Sequence, residues 1–575
     1  MSVAETVLTL TWLLPLLVGL LLFWRPANRL VVVAALTPVP ALLAALLLPL
    51  DTAVVYSWLL LAAQVRLDAT AQVFLLFTAV LWFIATVFGM AYMAKDTNRP
   101  RFFAFFLVAM AGNFGLIIAG DMLGYYLWFA VMSFASYGLV VHTGDKAAHD
   151  AGRVYIILVV VGEVILFAAL ALIYYAAGGV VVGDYSKLAL SALGQPPLDD
   201  FVASLIFIGF GIKAGVVALH VWLPLAHPAA PIPASAVLSG AMIKAGLLGW
   251  IRFLYPLQDG SQWGEWVVAL GLITAFYGAV VGVSQVNPKT VLAYSSISQM
   301  GFIMVGVGVW LATGEATGAT LTAVLLYATH HALAKGALFL GVGFAGSGRA
   351  APLILLLPAL ALAGLPLTSG AVAKAALKSA TPGLPGNWPL DTLLALAAVG
   401  TTLLMARFLW LIWRSEPQKK AVPPLMWGSW LLLVAGVAVV LYLLPMSTTA
   451  VAESLKADKL WPAIWPILLG LLTAAPATRY TPRSWDLPLI PPGDLVVPFG
   501  WAAWQLQKLL IWLKQFLVRA ETYILIHFTP GAALEAVGRW LDRSEYRLRT
   551  DWSLVGSALL LMALGILLTI WVHSS

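Results

Sequence analysis

Four lysines, Lys213, Lys244, Lys335 and Lys374, each fall within a long apolar run, and Glu163, His330 and His331 fall within similar runs. An amine at the centre of a bilayer costs about 2.5–3.5 kcal/mol even on the lenient insertion scale, and ionisable residues at that depth usually face a wet or protein-lined interior where they serve a function. Four of them cost about 10–14 kcal/mol on that scale, comparable with the whole stability of a typical domain. Burial draws amines and carboxylates alike toward neutrality, so that they take up and release protons. A row of such groups is what a proton relay requires. Tyr327, His331 and Lys335 recur at i, i+4 and i+8, which predicts one helix face and a hydrogen-bonded column. Glu163 is the one obvious mid-span carboxylate.

His220 and His227 stand in a proline-rich break between two runs, and Lys378 and Arg407 lie within snorkelling reach of a run's end. His330 and His331 point to different helix faces with no cysteine or nearby carboxylate to complete a site, so no metal is expected. The candidate proton-handling set is therefore Glu163, Lys213, His220, Lys244, Tyr327, His330, His331, Lys335 and Lys374, with His227, Lys378 and Arg407 as further candidates.

The elements that must position these groups are membrane helices. The 575 residues are 62% hydrophobic and 10% charged, against roughly 45–50% and 25% in a soluble domain. Apolar stretches of about 20 residues recur, each long enough to cross the hydrocarbon core as a helix that satisfies its own backbone. About sixteen spans are predicted, among them 30–50, 201–222, 232–254, 318–346, 353–376, 390–413, 461–477 and 553–572. The first run follows Glu5 without a basic leader or small-residue cleavage site and reads as a retained span. The +7 net charge sits in short loops, where it sets topology and does not point to nucleic acid. Its distribution predicts both termini outside a bacterial-type cell membrane. Cysteine is absent, so no iron-sulfur cluster is ligated here and no cofactor is expected on this chain. No catalytic site is evident.

The expected organisation is 1–100 with three helices, 101–260 with five, 261–415 with five, and 416–480 with two. Then comes a lateral amphipathic region over 481–552 and an anchoring helix over 553–575. Basic residues from Lys508 to Arg549 recur between tryptophans and leucines there, as in a helix lying along the cytoplasmic surface. Two spans look broken. Pro224, with its neighbouring prolines, interrupts the seventh, and Gly364-Leu365-Pro366 interrupts the twelfth. The breaks share Leu-Pro-Leu, at 223–225 and 365–367, and lie five spans apart, as an inverted five-helix repeat requires.

Four segments carry a resemblance: KAGVVALHVWLPLAHPAAPIPASAVLSGAMIKAG (213–246), NPKTVLAYSSISQMG (287–301), HHALAKGALFLGVG (330–343) and LAGLPLTSGAVAKAA (362–376). They resemble the proton-conducting membrane subunits shared by respiratory complex I, membrane-bound hydrogenases and Mrp-type cation/proton antiporters. The resemblance implies an all-α core of about fourteen helices in two inverted five-helix repeats with broken helices 7 and 12, the largest member adding a lateral helix and a last span. It implies relay roles for Lys213, Lys244, His331, Lys335 and Lys374. The family's fifth-helix glutamate falls at Ala130 and the first histidine of its eleventh-helix motif at Tyr327, so Glu163 is expected to stand in for the absent acid.

The expected function is ion translocation, protons alone or sodium against protons, by one membrane subunit among others in a complex. Whether that complex is an antiporter or a quinone- or hydrogenase-type translocase is open to the sequence. An alternative is the membrane subunit of a two-component inorganic-carbon uptake system that couples cation flow to a cytoplasmic partner. A lipid-linked glycosyltransferase fails on chemistry, because the loop 51–67 carries Asp51 without a paired acid.

Overall fold

The computed structural model describes residues 2–57, 62–178, 198–254, 263–313, 318–384, 388–416, 421–480 and 490–494, with isolated positions 505, 508 and 515. Residues 1–494 form one compact body. The predicted lateral region (481–552) and anchoring helix lie outside the described residues, apart from 490–494 and those isolated positions.

The body is a helical bundle. In order it contains α1 (Val3–Leu21), a 3-10 stretch (Arg25–Leu36), α2 (Val39–Leu47), a hairpin of β1 (Thr52–Tyr56) and β2 (Ala63–Leu67), α3 (Ala69–Tyr92), α4 (Arg99–Ile118), α5 (Met122–Val140) and α6 (Lys146–Ala176). Then come α7 (Leu198–Ala214), α8 (Trp222–Ala229), α9 (Ile232–Phe253), α10 (Trp263–Val283), α11 (Pro288–Thr313) and α12 (Ala319–Gly341). The last six are α13 (Ala350–Ala363), α14 (Ser369–Ala380), α15 (Leu390–Trp413), α16 (Pro424–Leu443), α17 (Thr448–Ser454) and α18 (Ala457–Tyr480).

Among the described residues, 12 helices are long and apolar enough to cross a membrane, counting the 29–47 stretch as one. The chain is a multi-pass membrane protein. The predicted second span is not one α-helix: Pro38 and Pro40 divide it into a 3-10 stretch and α2, since neither can donate a backbone hydrogen bond. The loop 51–67 forms the β1–β2 hairpin, paired Thr52 to Leu67 and antiparallel.

Helix starts are written locally. Asp68, Asp121 and Asp145 cap α3, α5 and α6, accepting the amides of Ala71 (2.8 Å), Gly124 (2.6 Å) and Ala148 (2.7 Å). The Arg252 guanidinium at the end of α9 reaches Asp68 at 2.6 Å, tying two helix ends together. Small residues bring helices close where lipid offers no hydrophobic drive between them. A Cβ on Gly301 of α11 would lie 2.4 Å from the Ala275 nitrogen of α10, so that contact admits no larger side chain.

The two breaks have the same backbone. At the first, the Gly215 and Val216 amides both point to the Gly211 carbonyl, and the Leu219 amide returns to Val216. At the second, the Gly364 and Leu365 amides both point to Leu360, and the Thr368 amide returns to Leu365. Each break has a left-handed glycine and, three residues on, a left-handed non-glycine: Gly215 and Ala218, then Gly364 and Leu367. The shared Leu-Pro-Leu does not mark equivalent places. Pro224 sits in the first turn of α8, after the break, where a missing amide has no intrahelical partner to lose. The break in the seventh span is made at Gly215–Val221 and not by Pro224.

Candidate functional site: two clusters of buried ionisable groups

α9, α11 and α12 are almost wholly enclosed by other helices, and α12 packs against α3, α11, α14 and α16. That enclosure puts Lys244, His330, His331 and Lys335 out of reach of solvent. Within α9, residues Leu238–Met242 form a π-helical turn, and Lys244 follows it directly. Such turns rotate the register and are frequent at functional sites. The Lys244 amine donates to the Ser239 carbonyl inside that turn at 2.6 Å. Ser239 Oγ lies 2.7 Å from Ser296 Oγ on α11. Ser296 Oγ donates in turn to the Leu292 carbonyl (2.9 Å), which also accepts from the Lys335 amine (2.8 Å). Two lysines from different helices are thus tied to one serine pair. His331 is buried beside both lysines, with neither ring nitrogen bonded to protein.

The predicted column of Tyr327, His331 and Lys335 is not a hydrogen-bonded column. The Tyr327 hydroxyl donates sideways to Gln299 Oε1 (3.0 Å), whose amide reaches Thr401 (3.0 Å), while Lys335 turns to Leu292. The spacing puts the three side chains on one face, but the buried carbonyls and amides of α11 offer nearer partners.

From this cluster a second arm leads to the broken α13–α14 pair. His330 Nδ1 lies 2.8 Å from Ser369 Oγ, at the first turn of α14. The Lys374 amine donates to the Ala363 carbonyl at the end of α13 (2.5 Å) and lies over the Phe302 ring. Lys374 and Lys378 line a cavity of about 470 Å³ together with Asp391, Glu453 and Lys459. Arg407 is not a free snorkelling group. Its Nε donates to the Gln285 carbonyl (3.0 Å) and its guanidinium stacks on Trp410.

Lys213 and Glu163 form a separate cluster between α6 and the first break. Both line one narrow cavity with Tyr155, Ser133 and Trp222. The Lys213 amine donates to the Tyr155 hydroxyl at 3.1 Å, and that hydroxyl donates to the Ser133 carbonyl at 2.9 Å. The amine also lies 5.5 and 5.7 Å from the Tyr155 and Trp222 ring centres, within cation–π range. Both Glu163 oxygens are buried without a protein hydrogen bond. The bonded partner of the amine is thus the Tyr155 hydroxyl and not the Glu163 carboxylate.

His227 stacks on Phe339 at 4.5 Å between ring centres, and His220 packs edge-on against Tyr277. Among the described residues, no three His, Asp or Glu side chains converge as metal ligands would. The partners Tyr155, Ser239, Ser296, Gln299 and Ser369 were not singled out from sequence. The run Ser295-Ser296-Ile297-Ser298-Gln299 held the one available signal, polar side chains on every face of an otherwise apolar helix.

A family model described as NADH:quinone oxidoreductase/Mrp antiporter, transmembrane region, matches residues 119–403. Those residues belong to that family. Hydrogenase-4 component B of Escherichia coli (strain K12) is 32% identical over 48% of this chain and 42% of its own length. A putative antiporter subunit, mnhA2, of Staphylococcus saprophyticus is 32% identical over 54% of this chain and 42% of its own. NADH-quinone oxidoreductase subunit N of Desulforudis audaxviator is 28% identical over 54% and 65%. The chain spans less than two thirds of each of these relatives. The fold extends further than the sequence match. The Mrp complex from Dietzia sp. DQ12-45-1b superposes with a TM-score of 0.71 at 23% identity over 92% of this chain and 64% of that one. The archaeal membrane-bound sulfane sulfur reductase superposes at 0.66 and 21% identity over 81% of this chain and all of its own.

The antiporter-family region contains both clusters, from Glu163 to Lys374, and both helix breaks. Arg407 lies just outside it.

Proposed function

We propose that the chain is an ion-translocating membrane subunit of a multisubunit complex, carrying protons, alone or against sodium, along Glu163, Lys213, His220, Lys244, Tyr327, His330, His331, Lys335 and Lys374. The observation that carries this reading is the joining of Lys244 and Lys335 through Ser239 and Ser296 in the enclosed centre of the bundle. Buried amines held on carbonyls, with an imidazole beside them, suit groups that gain and lose protons in turn. The matching backbone of the two breaks supports two inverted repeats, α4–α9 and α10–α15, each with one interrupted helix. Loop charges favour both termini outside. The basic amphipathic sequence of 498–550 suits a brace across neighbouring subunits.

The test is Lys244→Ala in the intact complex, assayed for proton movement in membrane vesicles. Loss of an obligatory proton carrier lowers the rate by about 100-fold or more, with the complex still assembled. An unchanged rate overturns the reading. Truncation after residue 480 should yield a complex that dissociates; a stable, fully active one would remove the bracing role.

A further inference from the structure

Beyond α18, residues 490–494 lie across the first helix break. The Gln285 side-chain amide donates to the Ile490 carbonyl at 2.9 Å. Gly493 takes the left-handed conformation, with φ of 71°, and approaches Leu225 so closely that a Cβ there would lie 2.9 Å from a Leu225 methyl. Asp494 then turns inward. Its Oδ1 accepts the Tyr294 hydroxyl at 3.2 Å and stands 3.5 Å from His220 Nε2. The Asp494 side chain is only 11% exposed and that of His220 is fully buried. A carboxylate in an irregular segment after α18 would ordinarily stay in water, and burying one is costly unless it is paired. Three separate contacts hold this one against a histidine on the translocation path.

The groups facing His220 are few. Tyr277 meets it edge-on from α10 and Tyr294 from α11, while Asp494 approaches from the strap. The nearby Lys289 amine is turned away, onto the Ala230 carbonyl. We infer that Asp494 is the proton-exchange partner of His220. The proton on imidazolium Nε2 passes to Asp494 Oδ1, leaving neutral imidazole and carboxylic acid, and returns by the same route; no other bond changes and no electron moves. The strap thereby adds a buried carboxylate to the path besides Glu163, and it comes from outside the family-matched residues. The inference rests on the translocation reading above.

The experiment compares Asp494→Asn, Asp494→Glu and Tyr294→Phe in the full chain within its complex, with Lys244→Ala in parallel, by proton uptake into vesicles over a range of pH. Asp494→Asn fills the same space without a proton to exchange, and lowers the rate by about tenfold or more with an altered pH profile. Asp494→Glu recovers most of the rate, and Tyr294→Phe changes the profile. Normal transport by Asp494→Asn overturns the inference, as do equal losses in the Asn and Glu variants with an unchanged profile, which would make the strap purely structural. If the Asn variant fails to assemble, Tyr294→Phe decides: an unchanged profile overturns it. Lys244→Ala separates the two readings, since a silent Lys244→Ala sinks translocation itself, whereas a dead Lys244→Ala beside a normal Asp494→Asn sinks only the strap.

Discussion

Ser239 Oγ and Ser296 Oγ meet at 2.7 Å, and this contact links the π-turn of α9 to α11. Because the carbonyls that hold Lys244 and Lys335 belong to Ser239 and Leu292, a shift in that contact moves both amines.

The serine pair therefore predicts an asymmetric cycle. Ser296→Ala leaves the Ser239 hydroxyl buried without its partner and costs about 1–3 kcal/mol. Ser239→Ala costs less, about 1 kcal/mol, because Ser296 keeps the Leu292 carbonyl. The double variant should be less destabilised than the sum of the two. Thermal unfolding of the purified complex gives the energies, and proton uptake should fall in all three.

At the second break, Gly370 is irreplaceable. A Cβ there would lie 1.6 Å from the Ala361 carbonyl oxygen and 3.1 Å from His330 Nε2, so Gly370→Ala must push α14 away from α13. Overpacking against backbone costs about 1–3 kcal/mol or more, and the His330–Ser369 contact goes with it. Gly428→Ala on α16, where a Cβ meets nothing within 4 Å, should be neutral. Membrane accumulation and proton uptake of the two variants make the comparison.

Glu163→Gln tests whether this acid serves Lys213. The two line one cavity with Tyr155, which the Lys213 amine bonds, and the amide preserves the volume while removing the titration. Transport should fall by about tenfold or more with a changed pH profile. Identical transport at every pH would show that Glu163 is a bystander.

Asp145 lies outside the spans, and the Ala148 amide it accepts, with help from Thr143, holds its carboxyl below the usual carboxylate range. A depressed folded value means that the cap contributes fully above the ordinary carboxylate range and is lost as pH falls through the lowered one. Hydrogen exchange at the Ala148 amide should quicken on acidification through that window. Asp145→Ala should show fast exchange at every pH.

Sequence alone determined that the chain is a membrane bundle and that several of its lysines fall within spans, because the insertion cost of an amine depends on depth, which apolar run length reports. It located the interruptions of the seventh and twelfth spans, though not the division of the second, since glycine and proline act on the local backbone. It did not determine how the interruptions are built. The proline at 224 drew attention away from Gly215 and Ala218, because a proline's effect depends on which turn of a helix it occupies. Nor did periodicity reveal that Tyr327, His331 and Lys335 reach for different partners: sharing a face fixes direction, whereas bonding depends on what the neighbouring helix offers. Only the tertiary structure joined Ser239 to Ser296 across 57 residues and Asp494, after α18, to His220. Such pairings leave no local mark: Ser239, Ser296 and Asp494 read as ordinary polar residues until packing removes the water they would otherwise bond, and His220, a candidate by type, has no partner within its own stretch of sequence.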